Sequence, residues 1–575
     1  MEMLWLALLA CRDKEPEVNR DPDPYTTTVD TGLFIDTDDT DDTDDTADTR
    51  DTADTSDPVV DVAVASMALY PDGVTVHPGA VLPLRLVGHW DDGVISNITG
   101  TYITSDKKIA TVDKDGLITA HTVGTVTLTA AWDKLTESVS LTVVDDGLIT
   151  VTLIDATTGS PIKDGHIKVS EGDAYTTDAH GSASAPVTDG GPIEISAYLS
   201  DYVPVTIWQT VSRDIVISLQ SADAFEARGT ATGSVDFDNV DSGEVTELVM
   251  GMVLPNMPHG PLMLDPDDLL SEDRTVTVYG IDADVPANLV LKNYAEEYEA
   301  TVIAGEAAVW TIAGAMPISE VTSGLNGTSD AIGLLRDHID SMVWGFSDAG
   351  TISGGSSAAV GISPSVSFTE KVDVIVPELS LGFNGSEEPL VMVGEFLPDE
   401  GVVVTGLGLG LGEIEVQTAD HTLSGSTGEV AMGIAQVGGL GTGGGVAASW
   451  APVVDGVAEL PAFQDIPEVT AFDATSHEFA MTSDSRASFV RVLIEGQDGT
   501  QRLLYTTSGD HTGVLPNPGF PMGYGNTNWT ILALEVAEGT LEGRLVSGDI
   551  LTPSIALTAQ TATRVGSRFQ APPPE

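Results

Sequence analysis

From Val59 onward, the hydrophobic and polar residues follow the pattern of β-strands. Short stretches of Val, Ile, Leu and Thr alternate with polar residues or form brief apolar runs, and Gly, Asp, Asn and Pro separate them. The clearest early stretches are residues 81–86, 109–112 and 125–130. The pattern predicts an all-β, multidomain fold.

The largest region, residues 221–575, repeats this pattern. Strands are predicted at residues 247–253, 274–281, 289–292, 300–303, 307–312, 372–376, 402–411, 488–494, 530–536 and 555–558. Residues 329–343 differ, because apolar residues recur there at helical spacing and Ser329 or Asp330 can cap a helix. We therefore expect a large, mostly antiparallel β region with one short helix. It forms either one unit or two sandwiches that meet near residues 360–377.

The N-terminus has a different pattern, in which the apolar run MLWLALLA ends at Ala10 and is followed by Cys11, the one cysteine of the chain. This run is too short to span a bilayer, which needs about 20 apolar residues, but it fits the core of a secretory signal. The layout resembles a bacterial lipoprotein signal. The resemblance implies lipidation at Cys11 and, with Arg12 next, export to the outer membrane or cell surface. The alternative is a buried N-terminus with a free thiol.

Residues 12–58 contain the tract DTDDTDDTDDTADTRDTADTSDP. Dense like charges without large apolar side chains cannot bury a core, so this segment is predicted to be a disordered linker.

Residues 59–145 carry the letters TSD at 104–106, IATVD at 109–113 and DGLITA at 115–120. These letters and their spacing resemble the group 2 bacterial Ig-like domain, which implies a β-sandwich. That family builds stalks and adhesin rods on bacterial surfaces, and the fold itself implies no chemistry.

Residues 147–220 contain TDAHG at 177–181, a tight-turn motif. This segment resembles the prealbumin-like domain that accompanies carboxypeptidases and many surface proteins, and the resemblance implies a second β-sandwich. His180 has no second His or Cys at metal-ligand spacing, so we interpret it as an exposed turn residue.

Charge narrows the range of partners. The chain has 575 residues, of which 88 are acidic and 23 basic, and a formal net charge of −65. Such a chain repels phosphates, so we expect no nucleic-acid partner.

Motifs of the common hydrolases and nucleotide-binding proteins are absent from the sequence, so no catalytic residue is assigned and the chain is predicted not to be an enzyme. The alternating Gly and Leu residues at 406–412 are interpreted as a strand that another backbone or ring approaches closely, not as a cofactor loop.

Two candidate sites remain. The first is Asp236, Asp238, Asp241 and Glu244, whose oxygens suit Ca²⁺, the one ion suggested by the sequence. Such clusters also arise by chance in a chain this acidic, and no other cofactor is expected. The second is the aromatic pair Tyr524 and Trp529, predicted to lie in a long irregular loop at 516–529, where ligand contacts are common.

These features favour a membrane-anchored surface protein whose C-terminal region binds polysaccharide or an envelope protein. One alternative is a lipid-anchored hydrolase with its site in residues 221–575, which carboxylates converging in a cleft beside Trp529 would support. The other is a structural spacer without a ligand.

Overall fold

The structure is a computed structural model. The residues that it describes are 64–90, 95–187, 190–223, 227–241, 246–258, 271–325, 338–379, 389–398, 400–437, 445–473, 476–496, 498–515, 527–536, 538–548 and 559–569. Strands dominate these residues, and they pack into several separate hydrophobic cores. The predicted all-β, multidomain fold is confirmed.

The first sandwich begins at Val64 and has a core of its own, with Leu82, Ile118 and Leu128 fully buried. Its sheets have the strand orders β1-β4-β5, β2-β10-β9-β6 and β3-β8-β7. The strands are β1 (Val64–Tyr70), β2 (Val74–Val76), β3 (Val81–Pro83), β4 (Arg85–Trp90), β5 (Ile95–Ile98), β6 (Thr101–Thr104), β7 (Ala110–Val112), β8 (Leu117–Ala120), β9 (Gly124–Trp132) and β10 (Leu135–Val143).

Seven strands follow in residues 148–219. They are β11 (Leu148–Asp155), β12 (His166–Val169), β13 (Ala174–Thr176), β14 (Ser182–Pro186), β15 (Ile193–Tyr198), β16 (Val205–Thr210) and β17 (Asp214–Leu219). Strand β11 lies between β14 and β17, whereas β12, β13, β15 and β16 form a second layer. In the TDAHG turn, the Asp178 carboxylate accepts the backbone N–H groups of His180 and Ser182, and His180 is exposed as expected. The prealbumin-like assignment stays a prediction.

The remaining strands belong to the C-terminal region. They are β18 (Arg228–Ser234), β19 (Glu247–Pro255), β20 (Asp273–Val278), β21 (Ile281–Pro286), β22 (Leu289–Leu291), β23 (Glu297–Ile303), β24 (Gly305–Pro317), β25 (Val343–Ile352), β26 (Ser357–Ala359), β27 (Val366–Val376), β28 (Leu390–Leu397), β29 (Gly401–Leu409), β30 (Gly412–Ala419), β31 (Glu429–Val437), β32 (Gly445–Pro452), β33 (Val457–Glu459), β34 (Glu468–Phe472), β35 (Glu478–Thr482), β36 (Phe489–Gly496), β37 (Gln501–Thr506), β38 (His511–Val514), β39 (Thr527–Val536) and β40 (Ala559–Phe569).

Helices are scarce in the described residues: α1 (Ile318–Leu325), α2 (Leu541–Ser547) and a 3₁₀ turn at Ile339–Ser341. The predicted helix at 329–343 lies largely outside the described residues, and its last residue already begins β25. Helix α2 was not expected. Thr540 caps its start by accepting the N–H of Gly543, and Gly548 ends it with a left-handed backbone.

The predicted strand at 274–281 is wrong in one respect, because the chain forms a hairpin there. Strands β20 and β21 pair antiparallel, and Tyr279 and Gly280 make the two-residue turn between them. Both have positive φ, 52° and 80°. This is the backbone of a type I′ turn, which suits the twist of a hairpin.

A sheet joins the second module to the C-terminal region. Strand β16 pairs in parallel with β37, so Val205 lies opposite Leu503, about 300 residues later. The ladder then continues through β36, β39, β40, β32, β31, β28 and β29 in antiparallel pairs. Residues 147–220 and 221–575 therefore share a sheet. The predicted domain boundary at residue 220 stays a prediction. The predicted split near residues 360–377 falls on β27 and also stays a prediction.

The glycine-rich strand β29 lies close to its neighbour β30, as expected. A Cβ on Gly406 would lie 2.5 Å from the carbonyl oxygen of Gln417, and one on Gly408 would lie 3.0 Å from the side chain of Val416. The glycines at these positions therefore permit a close strand contact.

The first sandwich contacts the C-terminal region directly. Arg85 donates to the Ser488 hydroxyl, and His89 Nε2 lies 3.0 Å from Glu538 Oε1. Gln560 donates its amide to the carbonyl oxygen of Ile95 at 2.7 Å. The sandwich is thus docked rather than extended away from the rest of the chain.

Helix α2 completes this contact through the buried carboxylate of Glu542, which is 5% exposed. Its oxygens accept the Thr210 hydroxyl at 2.8 Å, the Val211 N–H at 3.1 Å and the Ser212 hydroxyl. The Arg213 N–H donates to Thr75 in the first sandwich. We call residues 210–213 with Glu542 the junction, because three parts of the chain meet there.

Candidate functional site

A surface groove lies on the small sheet formed by β34, β35 and β38. Its volume of about 470 Å³ falls within the range of small-ligand sites. Most of the lining is apolar, and Asp473, Glu478 and Thr512 supply the polar side chains. The lining residues are Ala471, Phe472, Asp473, Glu478, Phe479, Ala480, Thr512, Gly513 and Val514.

An aromatic cluster supports the floor of this groove. The ring of Phe472 lies 4.9 Å from that of Trp529, and the ring of Phe479 lies 5.0 Å from that of Trp208 in an edge-to-face arrangement. Phe479 also lies 6.2 Å from Trp529. These geometries are the ones that aromatic pairs favour, so the floor is held by mutually packed rings. Phe472 and Phe479 both line the groove, but Phe479 is 3% exposed, so the half-buried Phe472 presents the accessible ring.

Gly513 lets this cluster approach the sheet. A Cβ at this position would lie 2.4 Å from Cζ2 of Trp208, closer than real Cβ atoms come to their neighbours. The ring edge that includes Cε2 and Cζ2 therefore lies directly against a residue that lines the groove. The indole Nε1 of Trp208 is bonded to Cε2. This N–H group is buried, since the side chain is only 3% exposed, and it has no hydrogen-bond partner among the described residues. A buried donor of this kind gains free energy when an acceptor reaches it.

The rim of the groove is negatively charged. Asp473 and Glu478 are exposed at the two ends of a short turn, and Asp473 accepts the N–H of Ser476 at 2.9 Å. Burial lowers the pKa of His477 between them, and the nearby Arg502 cation lowers it further. His477 is therefore neutral at pH 7, and the carboxylates set the charge of this rim.

The prediction that Trp529 lies in an irregular loop is wrong. Trp529 sits in strand β39, is fully buried, and donates its Nε1–H to Thr527 at 3.0 Å. An external ligand cannot stack on it directly, so its contribution to the groove passes through Phe472 and Phe479. Tyr524 lies outside the described residues.

The four acidic residues proposed for Ca²⁺ are only partly described. The Asp236 carboxylate accepts the N–H of Asp238 at 3.0 Å and the Ser363 hydroxyl at 3.4 Å, whereas Glu244 lies outside the described residues. No three His, Cys, Asp or Glu side chains in the described part are placed to hold a metal ion together. The calcium site stays a prediction.

The membrane anchor also stays a prediction, because Cys11 and the linker lie outside the described residues. Within the described residues, no helix combines the length and the apolar character that crossing a membrane requires.

A carboxylate pair that the sequence did not indicate lies on the long sheet. Glu395 on β28 faces Glu429 on β31 across an antiparallel ladder. Both oxygens of Glu395, which is 6% exposed, accept the N–H of Leu423 at 3.1 and 2.9 Å. Burial and the Glu395 charge raise the pKa of Glu429. The ionised pair is therefore unfavourable for the folded chain.

Glu429→Gln is expected to stabilise the protein at pH 7 by up to about 1 kcal/mol, the scale of directly opposed like charges in a sheet. The pKa of Glu429 is raised in the folded state. Its protonated carboxyl therefore contributes to folding stability at low pH, and this contribution is lost as the pH rises through the folded-state pKa. The gain should vanish below about pH 4, where the carboxyl is protonated in both states. Urea unfolding from pH 4 to 8 measures it, with the exposed Glu459→Gln as control. A gain that persists unchanged at pH 4 would contradict this explanation.

Sequence reasoning missed the groove residues. Phe472, Glu478 and Phe479 belong to two short strands and Asp473 to the five residues between them, a pattern that resembles many other hairpins in this chain. Their packing on Trp208 and Trp529 joins residues that are distant in sequence, and local periodicity does not encode such contacts.

Comparison with known proteins identifies one domain. Residues 63–143 match the bacterial Ig-like domain (group 2) family, which confirms the resemblance of the first sandwich. No curated protein matches the chain.

Several solved structures are similar over parts of the chain. Domains 5–6 of the S-layer protein SbsC are 12% identical, with 42% of this chain and 98% of that chain covered and a TM-score of 0.14. The Bacillus anthracis TIE protein is 8% identical, with coverages of 70% and 75% and a TM-score of 0.13. The shaft pilin SpaA from Lactobacillus rhamnosus GG is 8% identical, with coverages of 38% and 97% and a TM-score of 0.11. With TM-scores this low, these likenesses carry no conclusion about function.

Proposed function

We propose that this protein is a lipid-anchored protein of the bacterial cell surface that binds polysaccharide through the groove on β34, β35 and β38. The observation that carries the proposal is the aromatic-floored groove itself. The Ig-like domain at residues 63–143 supports the surface location, because such domains build surface stalks and adhesins. Cys11 is the residue proposed to carry the lipid.

The chemistry of the groove suits a neutral sugar chain. Sugar rings have apolar C–H faces that pack on the half-buried ring of Phe472, and hydroxyl groups that donate to acceptors such as Asp473 and Glu478. The formal net charge of −65 repels anionic polymers. Neutral glucans and amino-sugar polymers are therefore the expected ligand class.

Phe472→Ala is expected to weaken binding to such a polysaccharide roughly tenfold, the effect of losing about 1.4 kcal/mol of apolar contact. Pull-down of the full soluble chain with a panel of insoluble neutral and anionic polysaccharides measures this. Val457→Ala, an exposed apolar residue on β33, is the control and should bind normally. Equal binding by both variants would exclude the groove as the binding site. Preference for anionic polymers would exclude neutral polysaccharides as the ligand class.

Cys11→Ala is expected to move the protein from the membrane fraction to the soluble fraction, because loss of acylation removes roughly 0.8 kcal/mol of membrane affinity per methylene. Fractionation of cells that express the full chain measures this, and metabolic labelling with a fatty acid identifies the lipid. Continued membrane partitioning of the variant would argue against the anchor.

A glycoside hydrolase is the second candidate, favoured by one observation. Asp473 and Glu478 both line the groove above Trp529. Paired carboxyl groups are the usual catalytic groups of glycoside hydrolases. Glu478→Gln separates the two functions. Release of soluble sugar by the native chain, lost in this variant while binding persists, would favour hydrolysis. Binding without release would favour the adhesin. The absence of both binding and sugar release would favour the structural spacer.

A further inference from the structure

Two exposed tyrosines meet at one end of the C-terminal region. Tyr279 is 59% exposed at the tip of the β20–β21 hairpin, and Tyr294 is 37% exposed in the turn after β22. Their ring centroids are 5.5 Å apart, and their planes are inclined by 59°. The rings therefore form an exposed, tilted pair, remote in sequence from the groove.

The backbone holds the rings in this position at a cost. Tyr279 has φ +52°, a left-handed conformation that is unusual for a bulky residue, and Asn293 beside Tyr294 has φ +68°. The second turn is fixed by backbone N–H groups of Tyr294 and Ala295, which both donate to Leu291. The backbone at Tyr279 is the one that the type I′ turn requires, whereas the exposure of two large rings does not stabilise the fold and points to a binding role.

The surroundings of the pair are acidic. Asp282 and Asp284 are exposed on β21, where they accept the hydroxyl groups of Thr277 and Thr275, and Glu296 is exposed just after Tyr294. The nearest basic side chains in the sequence contact backbone oxygens. Arg274 donates to Glu297 and Leu289, and Lys292 donates to Phe237.

We propose that Tyr279 and Tyr294 bind a quaternary ammonium group, such as the trimethylammonium head of choline. The faces of both rings carry negative charge density, and a cation within about 6 Å of a ring centroid is attracted to it. In the proposed complex one N-methyl cation contacts both rings of the tilted pair, and the carboxylates on the same turns add attraction.

A cation site and a sugar platform make different demands. A sugar stacks on a single flat ring and needs no charge, whereas the inclined pair and its acidic surroundings favour a compact cation. Choline and its neutral isostere 3,3-dimethyl-1-butanol have nearly the same shape and differ in charge. Their comparison therefore separates cation binding from apolar contact.

Saturation-transfer NMR on the full soluble chain, titrated with choline and with tetramethylammonium, is the direct test. We expect millimolar binding, weakened roughly two- to fivefold when either Tyr279→Ala or Tyr294→Ala removes one ring. Tyr279→Phe and Tyr294→Phe should retain binding, since they keep the ring faces. Leu411→Ala, an exposed apolar residue in the β29–β30 turn, is the matched control and should leave binding unchanged.

The proposal is overturned if choline gives no transfer at tens of millimolar, or if the Tyr279→Ala and Tyr294→Ala variants bind as well as the native chain. Equal binding of the neutral isostere also overturns it, in favour of an apolar or sugar platform. Phe472→Ala should not affect choline binding. This result keeps the outcome independent of the polysaccharide groove.

Discussion

Glu542→Ala is expected to lower the free energy of unfolding by about 3–5 kcal/mol, because three buried donors lose their acceptor at about 1–3 kcal/mol each. The variant leaves the Thr210 and Ser212 hydroxyls and the Val211 N–H without their shared acceptor. Burial lowers the pKa of Arg213, and the negative charge of Glu542 counteracts this by raising it. The variant also removes that charge. Urea unfolding followed by tryptophan fluorescence measures the loss.

Two control variants make this test specific. Glu542→Gln keeps one acceptor oxygen and the packing of α2, so it should lose less than the Ala variant. Glu538→Ala removes a partly exposed partner of His89 and should cost less than about 1 kcal/mol. Limited proteolysis should cleave the Glu542→Ala variant faster than the native chain at sites between the first sandwich and the C-terminal region. A loss below 1 kcal/mol in Glu542→Ala would mean that the junction does not hold these parts together.

Trp529→Ala is expected to cost about 3–5 kcal/mol, the usual penalty for removing a large ring from a packed core. The side chain is fully buried against Phe472 and Phe479, so its loss leaves a cavity under the groove. Polysaccharide binding should fall as well, because the floor loses its support. Thermal unfolding and the polysaccharide pull-down measure the two effects.

Trp529→Phe is the control, since it keeps an aromatic ring and should lose only part of the stability and little of the binding. The pattern of the two variants distinguishes a supporting ring from a ligand-contacting ring. Loss of binding in Trp529→Ala with unchanged stability would instead identify Trp529 as a ligand-contacting ring.

Local patterns were sufficient to predict many strands of the C-terminal region, whereas the predicted strand at 555–558 lies outside the described residues. The predicted strand at 372–376 lies within β27, and the one at 488–494 corresponds to β36. The hairpin at Tyr279 was missed because the predicted strand at 274–281 runs through Tyr279 and Gly280 without a turn. The Tyr-Gly pair between two alternating stretches is the signal that identifies it.

The candidate site was less predictable. The loop containing Tyr524 was a reasonable choice, but the strand begins at Thr527 and takes Trp529 into the core. The groove depends on Trp208, which comes from the second module. Partners so far apart in sequence leave no periodic trace, so the pairing of β16 with β37 and the role of Glu542 required the structure.

The β16–β37 pairing has a consequence for the order of synthesis. Strand β16 is made about 300 residues before its partner, which at 5–20 residues per second is roughly 15–60 s of translation. During that interval β16 presents an open edge, and such edges recruit strands from other chains. Truncation shortly after residue 220 would make this exposure permanent. A factor that covers this edge until β37 has been made is therefore expected to raise the yield of folded chain.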